Sequence, residues 1–548
     1  MERNAAGGRA RLKKPPAALV LSCAVLLTPG AAFVATQQAP ASPTAAAPAQ
    51  VPPLGAGLSS DDRATVQAAL DQLASKVAAL KARYPAGAMG DRVADVEIYL
   101  DAVRRPLKYD ERLWAPSGST PLSTALQTLA TGTDRADQLA TGATPWMTRS
   151  GVRGFYSTID GSAQPYLLTM PESYDPAASR SYRLDLFMHG RDDTVLEQQF
   201  MAKSTTGYTS KPLRAGPDRF MLQPYSRYTN ASRFAGETDG LEAIESVARA
   251  YPIDRNRIVM TGFSMGGAAA WSFIVHHADR WAAAAPGAGF TETEVFLRGA
   301  LGRQPQNAVQ RTLWHMYDST DYALNTFNLP VVAYSGGIDP QKQAADAMAA
   351  AMAQEGLPLE HVIGPETGHA YEPRARQQVQ DRLDALAGRG RNPVPKDIRF
   401  TTWMLRYNRM FWLTVDAMGA EWQRARVDAS VNGDSIRLTT DNVTALHLTF
   451  TAGQAPFAPG AKPIRHHRRR DPRVAASGAR WLALGRARQG WRIMARWRAA
   501  ARRAAQVAWA PGPDRRCVHG ELSDRDAKRR AVLLGAGPVG SAAGRLRD

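Results

Sequence analysis

Thr261-Gly262-Phe263-Ser264-Met265-Gly266-Gly267 stands between Arg257-Ile258-Val259-Met260, an apolar run that reads as a strand, and Ala268-Ala269-Ala270-Trp271-Ser272-Phe273-Ile274, a good opening for a helix. Gly-x-Ser-x-Gly therefore falls on a strand-to-helix joint, the setting of a nucleophile elbow. A serine hydroxyl is a weak nucleophile at neutral pH, so it must be held out on a sharp turn where a base can reach it. The flanking Gly262 and Gly266 permit that turn and leave room for the neighbouring strand and helix. A Gly/Ser-rich turn without chemistry is the plain alternative, and the flanking strand and helix weigh against it.

On either side of this joint, strand and helix candidates alternate. Upstream lie strands over 183–188 and 219–223 and a helix over 237–250. Downstream lie strands over 281–285, 330–335 and 359–363, with helices over 341–354 and 375–387. Such alternation predicts a mostly parallel sheet with helices on both faces. The stretch Gly151 to Pro171, alternating about the turn Asp160-Gly161, predicts an antiparallel entry to that sheet.

Two further motifs follow Ser264 in order. The run Val331-Val332-Ala333-Tyr334-Ser335-Gly336-Gly337-Ile338-Asp339 is a strand ending in a glycine turn and a carboxylate, 75 residues after the serine. Asp339 is the candidate acid. Standing before Pro340 and a helix, it could instead serve simply as an N-cap, the lesser of the two readings, and Asp346 and Glu366 are the substitutes. Thirty residues on, Gly364-Pro365-Glu366-Thr367-Gly368-His369-Ala370-Tyr371 is a loop after a strand that presents a histidine. His369 is the candidate base, taking the proton from Ser264 while Asp339 fixes its tautomer. His276, His277, His315 and His361 read as surface residues. An oxyanion hole needs two backbone N–H donors, one from the residue after the nucleophile, Met265, and one from a loop after an early strand. His189-Gly190-Arg191 follows the strand over 183–188, so the N–H of Arg191, or of Gly190, is the natural second.

With these motifs in place, the chain from about Gly151 to Pro373 resembles an α/β-hydrolase of the prolyl-oligopeptidase-like and esterase-like group, notably secreted bacterial serine peptidases of the prolyl oligopeptidase family. His189-Gly190-Arg191, Arg227-Tyr228-Thr229-Asn230, Phe234-Ala235-Gly236-Glu237, Gly262 to Gly267 and Gly364 to Tyr371 carry it. The resemblance implies hydrolysis of an ester or peptide bond in a small-molecule substrate through an acyl-enzyme, with no metal and no cofactor. No segment reads as a β-propeller, so proline specificity is not carried over. A carboxylesterase of the feruloyl-esterase or polyester-depolymerase kind uses the same triad, and a noncatalytic binding protein on the same fold is the alternative of another class.

The remaining segments set the organisation. Arg3, Arg9, Arg11, Lys13 and Lys14 precede an apolar run from Ala17 to Leu27, the pattern of a secretory signal over 1–35. The run is too short to span a bilayer, and the expected location is secreted or periplasmic. Leu21-Ser22-Cys23 faintly suggests a lipoprotein site. Residues 36–57 are Ala/Pro-rich and read as a tether. Over 58–150, Val66, Leu70, Leu73, Val77 and Leu80 recur at helical spacing behind the N-cap cluster Ser59-Ser60-Asp61-Asp62. This is a helical segment of packing character, preceding the catalytic domain at 151–390. Beyond the break Gly388 to Pro393, residues 391–462 read as a small β-rich appendage with the hairpin signal Asn432-Gly433-Asp434. Cys23 and Cys517 are the two cysteines, so neither a structural disulfide nor a cysteine metal site is expected.

Net charge is +18, yet residues 465–548 hold 21 of the 68 basic and 6 of the 50 acidic residues and so supply 15 of those charges. A nucleic-acid footprint spread over the whole protein does not follow, and no specific nucleic-acid partner is expected. Trp481, Trp491 and Trp497 among arginines could form a basic amphipathic helix. A composition of Arg, Ala, Gly and Trp is also what out-of-frame reading of GC-rich DNA yields. In a neighbouring frame, codon choices let 510–520 spell Leu-Gln-Gly-Pro-Ile-Asp-Asp-Ala-Phe-Met, a string resembling one near the end of the same family, and let 465–469 spell Val-Thr-Ile-Asp-Gly. The expectation is a frameshift near codon 463, with 463–548 a basic, low-order tail that truncates the appendage. Sequencing the encoding DNA there and finding no such neighbouring frame would exclude it.

Overall fold

The computed structural model describes residues 58–109, 113–192, 196–202, 216–301, 307–451, 453–457, 464–469, 480–487 and 490–496. The expected signal and tether, and most of the basic tail, lie outside them.

Eight strands form the central sheet: β1 (Gly151–Tyr156), β2 (Ala163–Thr169), β3 (Tyr182–Met188), β4 (Arg219–Pro224), β5 (Ile253–Phe263), β6 (Ala283–Gly287), β7 (Val332–Gly336) and β8 (Glu360–Gly364). Their spatial order is β1-β2-β4-β3-β5-β6-β7-β8, antiparallel on both sides of β2 and parallel from β4 to β8. The sheet is thus mostly parallel with an antiparallel entry, as the alternation predicts, and it is the α/β-hydrolase arrangement that the resemblance implies. A parallel sheet must be covered on both faces, and the alternating residues of β5 show how. Val259 and Phe263 join Val332, Tyr334 and Val362 under the helix Pro373–Arg389, whose Val379 and Leu383 are fully buried. Ile258 and Met260 face the other way, into a core shared with Ala269, Trp271 and Phe273 of the helix following Ser264.

Three helices precede the sheet: α1 (Ser60–Arg83), α2 (Gly87–Tyr109) and α3 (Pro121–Ala140); α4 (Glu197–Ala202) and α5 (Ala235–Ala250) follow between its strands. Ser59 caps α1 by accepting from the Asp62 amide at 3.1 Å, and Val66, Leu70, Leu73, Val77 and Leu80 are its buried stripe. The layer rests on the first two strands, with Val152 and Leu167 in its core. Gly154 marks the closest approach, where an added Cβ would lie 2.3 Å from the Ala94 carbonyl oxygen. Asp95 pins the contact, accepting from the Gly154 amide at 2.7 Å and the Trp146 indole at 3.0 Å. Among the described residues no helix is long and apolar enough to cross a membrane.

The stretch between β6 and β7 was not legible in the sequence. It holds two short helices, Thr293–Leu301 and Ala308–Trp314, and a 3₁₀ stretch, Ser319–Asn328. Beyond the central sheet, two further sheets share an apolar core built from Val427, Leu438, Leu446 and Leu448. One orders 464–469, Ser435–Asp441, Ala425–Asn432 and Asp397–Thr402. The other orders Arg409–Met410, Leu413–Met418, Val443–Thr451, 490–496 and 480–487. The hairpin at Asn432-Gly433-Asp434 forms as its sequence predicts, with Gly433 at φ +54°. Three strands therefore lie within the segment expected to be low in order. They extend the edges of Ser435–Asp441 and Val443–Thr451, where open backbone groups accept a β-compatible neighbour. Asn325 fastens these sheets to the helix following Ser264: its amide donates to the Val275 and Thr401 carbonyls and accepts from the Thr401 amide.

Candidate active site

Ser264 sits between the end of β5 and the first residue of helix α6 (Met265–His276) at φ 59°, ψ −122°, a strained conformation for a residue with a side chain. Backbone packing explains why glycines surround it. A Cβ on Gly262 would stand 2.1 Å from the Gly266 carbonyl oxygen, one on Gly266 1.9 Å from that of Met188, and one on Gly267 2.0 Å from that of Gly287. The elbow therefore presses directly on the ends of β3 and β6. The Ser264 amide donates to Gly287 O at 2.9 Å, fixing the turn to the neighbouring strand.

Asp339 and His369 arrive on loops after the adjoining strands β7 and β8, and the two loops are knitted by their backbones. Gly337 N donates to Gly364 O at 2.7 Å and Ile338 N to Thr367 O at 3.1 Å. A Cβ on Gly336 would strike the Gly368 and Thr367 carbonyls at 2.1 and 2.3 Å. Between them Tyr334, missed in the sequence, holds the histidine loop by donating to Ala370 O at 2.8 Å and accepting from the Glu372 amide at 2.7 Å. Its only sequence signal was an aromatic residue at an inward position of β7.

The structure brings Ser264, His369 and Asp339 into one chain of contacts. His369 Nε2 lies 2.8 Å from Ser264 Oγ, and its Nδ1 lies 2.8 Å from Asp339 Oδ2. The Asp339 side chain is 1% exposed and that of His369 41%, so the carboxylate is sealed while the imidazole edge stays open to a substrate. Asp339 Oδ1 also accepts from the Gln341 amide at 2.9 Å. The contacts expected of an acid and of a turn cap are thus both made, one by each of its oxygens. Asp346 instead pairs with Lys342 at 2.7 Å, and Glu366 occupies a left-handed turn at φ 50°.

Met265 is the first residue of α6, so its N–H has no intrahelical acceptor and stands at the positive end of the helix dipole. The loop of Gly190 and Arg191 follows β3 beside the elbow, as the contact between Gly266 and Met188 requires. His189 braces that loop, its Nε2 lying 3.0 Å from Tyr225 O at the start of the next loop. There Ser226, Arg227, Tyr228, Ala231, Ser232 and Phe234 all have positive φ. Arg227 holds this strained segment by donating to Asp239 and Asp160, each at 2.7 Å.

Of the four histidines expected at the surface, His276 is buried and His277, His315 and His361 are half-buried. His276 is 2% exposed and stacks on Tyr407 with ring centroids 3.6 Å apart, His277 reaches Glu237 at 2.8 Å, and His315 pairs with Asp321 and stacks on Trp403. His361 lies 3.0 Å from Ser335 Oγ. Tyr407 and Trp403, which bury two of them, come from a segment far along the chain, so local sequence gave no signal.

Fold and site together are of the α/β-hydrolase kind, with a serine, a histidine and a carboxylate in one chain of contacts. Residues 235–389 match the family model of the prolyl oligopeptidase family, so the resemblance carried by the motifs holds over the segment bearing all three residues. No curated protein matches the chain. Similar solved structures include a dipeptidyl aminopeptidase IV from Bacteroides ovatus, at 12% identity over 44% of this chain and 36% of that one with a TM-score of 0.34. A ferulic acid esterase matches at 15% identity over 44% of this chain and 98% of its own, with a TM-score of 0.33. A puromycin-hydrolyzing peptidase from Mycobacterium tuberculosis matches at 17% identity over 44% of this chain and 39% of that one, with a TM-score of 0.32. The chain thus spans about a third of the length of the first of these.

Proposed function

We propose that this protein is an exported serine hydrolase that cleaves a carboxylic ester or peptide bond through an acyl-enzyme. The observation that carries the proposal is the continuous contact from Ser264 Oγ through the His369 ring to Asp339, with 2.8 Å at each step. In this reading Ser264 Oγ attacks the carbonyl carbon as His369 Nε2 takes its proton, and Asp339 stabilises the imidazolium and sets its tautomer. The N–H of Met265 and that of Arg191 or Gly190 receive the negative charge developing on the carbonyl oxygen. His369 then returns the proton to the departing alcohol or amine, leaving an ester on Ser264. Water, deprotonated by the same imidazole, releases the carboxylic acid and restores the serine. Export is supported by the charged start and short apolar run of residues 1–35.

The test is fluorophosphonate labelling of the mature chain with the adduct located by mass spectrometry. An adduct on Ser264 that disappears in His369→Ala is expected. A folded protein that stays unlabelled would favour a noncatalytic binding role on the same fold. Parallel assays with p-nitrophenyl esters and aminoacyl or peptidyl p-nitroanilides then separate esterase from peptidase.

A further inference from the structure

Helix α6 begins at the nucleophile and ends at His276. With a rise of about 1.5 Å per residue, the two ends stand roughly 17 Å apart. At the far end a cavity of about 480 Å³ opens between the helix terminus and the C-terminal sheets. Arg280, Arg391, Arg406 and Arg409 line it, and Asp279 is the one carboxylate residue among the described lining residues. Stacked Trp412 and Phe450 form part of its wall.

The charges there are incompletely matched. Arg406 pairs with Glu237 at 2.9 Å, but Arg280 reaches Glu245 only at 3.6 Å and Arg409 reaches Asp279 only at 3.8 Å. Arg391 has no carboxylate within ion-pair distance among the described residues, and donates instead to the carbonyls of Asp279 at 2.5 Å and Arg255 at 3.4 Å. Burial lowers its pKa, and the like charges of Arg280 and Arg409 add to that against the pull of Asp279. His276, also on the lining, keeps a buried Nε2 with no hydrogen-bond partner. Half-buried Arg391, repelled by the more exposed Arg280 and Arg409, gives the cavity an excess of positive charge whose missing complement is an anion.

We propose that this cavity is a second binding site, remote from Ser264, that takes a small polyanion, a molecule bearing a phosphate group or clustered carboxylates, through Arg391 and Arg409. Guanidinium forks match both groups in geometry and bind them with charge-assisted hydrogen bonds. The volume suits a ligand of the size of a phosphorylated sugar or a tricarboxylate.

Isothermal titration and thermal melts of the full chain with sodium phosphate and, separately, sodium citrate, each against sodium chloride at matched ionic strength, test it. Saturable binding and a rise in Tm of about 2–5 °C are expected for at least one anion. The affinity should fall about tenfold or more in Arg391→Gln/Arg409→Gln. Arg409→Gln alone, at a side chain 68% exposed, should give a smaller loss without risk to folding. Binding of phosphate alone assigns a phosphate-bearing ligand, and binding of citrate alone assigns a polycarboxylate. Neither anion exceeding the chloride control, or affinity unchanged in the variants, overturns the proposal.

Discussion

The two ends of helix α6 are built in opposite ways. At the Ser264 end, backbone meets backbone: three glycines let strands and turn approach until a single methyl group would collide, and the side chains of the triad find partners at 2.8 Å. At the His276 end, long side chains drawn from well-separated segments meet around a cavity, and one ring nitrogen is left unsatisfied. Close backbone packing fixes geometry to within a few tenths of an ångström, as a reaction centre needs. Long side chains around an open space tolerate exchange of what lies between them.

The contrast orders the consequences of substitution. At the tight end Ser264→Ala should lower kcat/KM on an ester substrate by about 10⁵-fold, measured by initial rates, because the substitution removes the hydroxyl that would attack. Asp339→Asn keeps the shape but offers His369 Nδ1 an amide, and a loss of about 10³–10⁴-fold in kcat is expected. Retention of most activity would show that the carboxylate acts as a cap alone. Gly266→Ala places a methyl against the Met188 carbonyl. The elbow must then shift, with activity falling about 10²-fold and stability by about 1–3 kcal/mol in urea titrations.

At the loose end the expected signature is stability without catalysis. Burial raises the pKa of Glu237, but hydrogen bonds from His277 and Arg406 outweigh it and hold the carboxyl well below the usual range. A depressed folded pKa contributes stability above the unfolded value near 4.5, and that contribution is lost as pH falls below it. Glu237→Gln should therefore cost about 2–4 kcal/mol at neutral pH, flatten the decline of Tm below pH 4.5, and leave kcat within about twofold of the parent. A loss of kcat comparable to that of Gly266→Ala would erase the distinction between the two ends.

The same division governs what could be read from the sequence. The elbow was legible because its requirements are local: a strand, two spaced glycines and a helix within seventeen residues of one another. The carboxylate and histidine were legible by chain order, each after an apolar strand and a glycine turn. Residues 293–328 were not, since short helices with mixed faces leave no period to detect. Nor was the burial of His276, which depends on Tyr407, a residue 131 positions away whose approach only the folded chain supplies. The strands at 464–469, 480–487 and 490–496 were not legible because the tail around them is rich in arginine, while the sheet edges that accept them lie elsewhere in the chain.

Asp339 binds two structures into one fate. One oxygen orients the imidazole and the other closes the turn that begins the helix Lys342–Gln354. A local opening of that helix would pull the carboxylate from the histidine before the sheet melts. Slow hydrogen exchange at the Gln341 amide would then report catalytic readiness, and on heating, activity would fade ahead of the far-ultraviolet signal of the intact sheet.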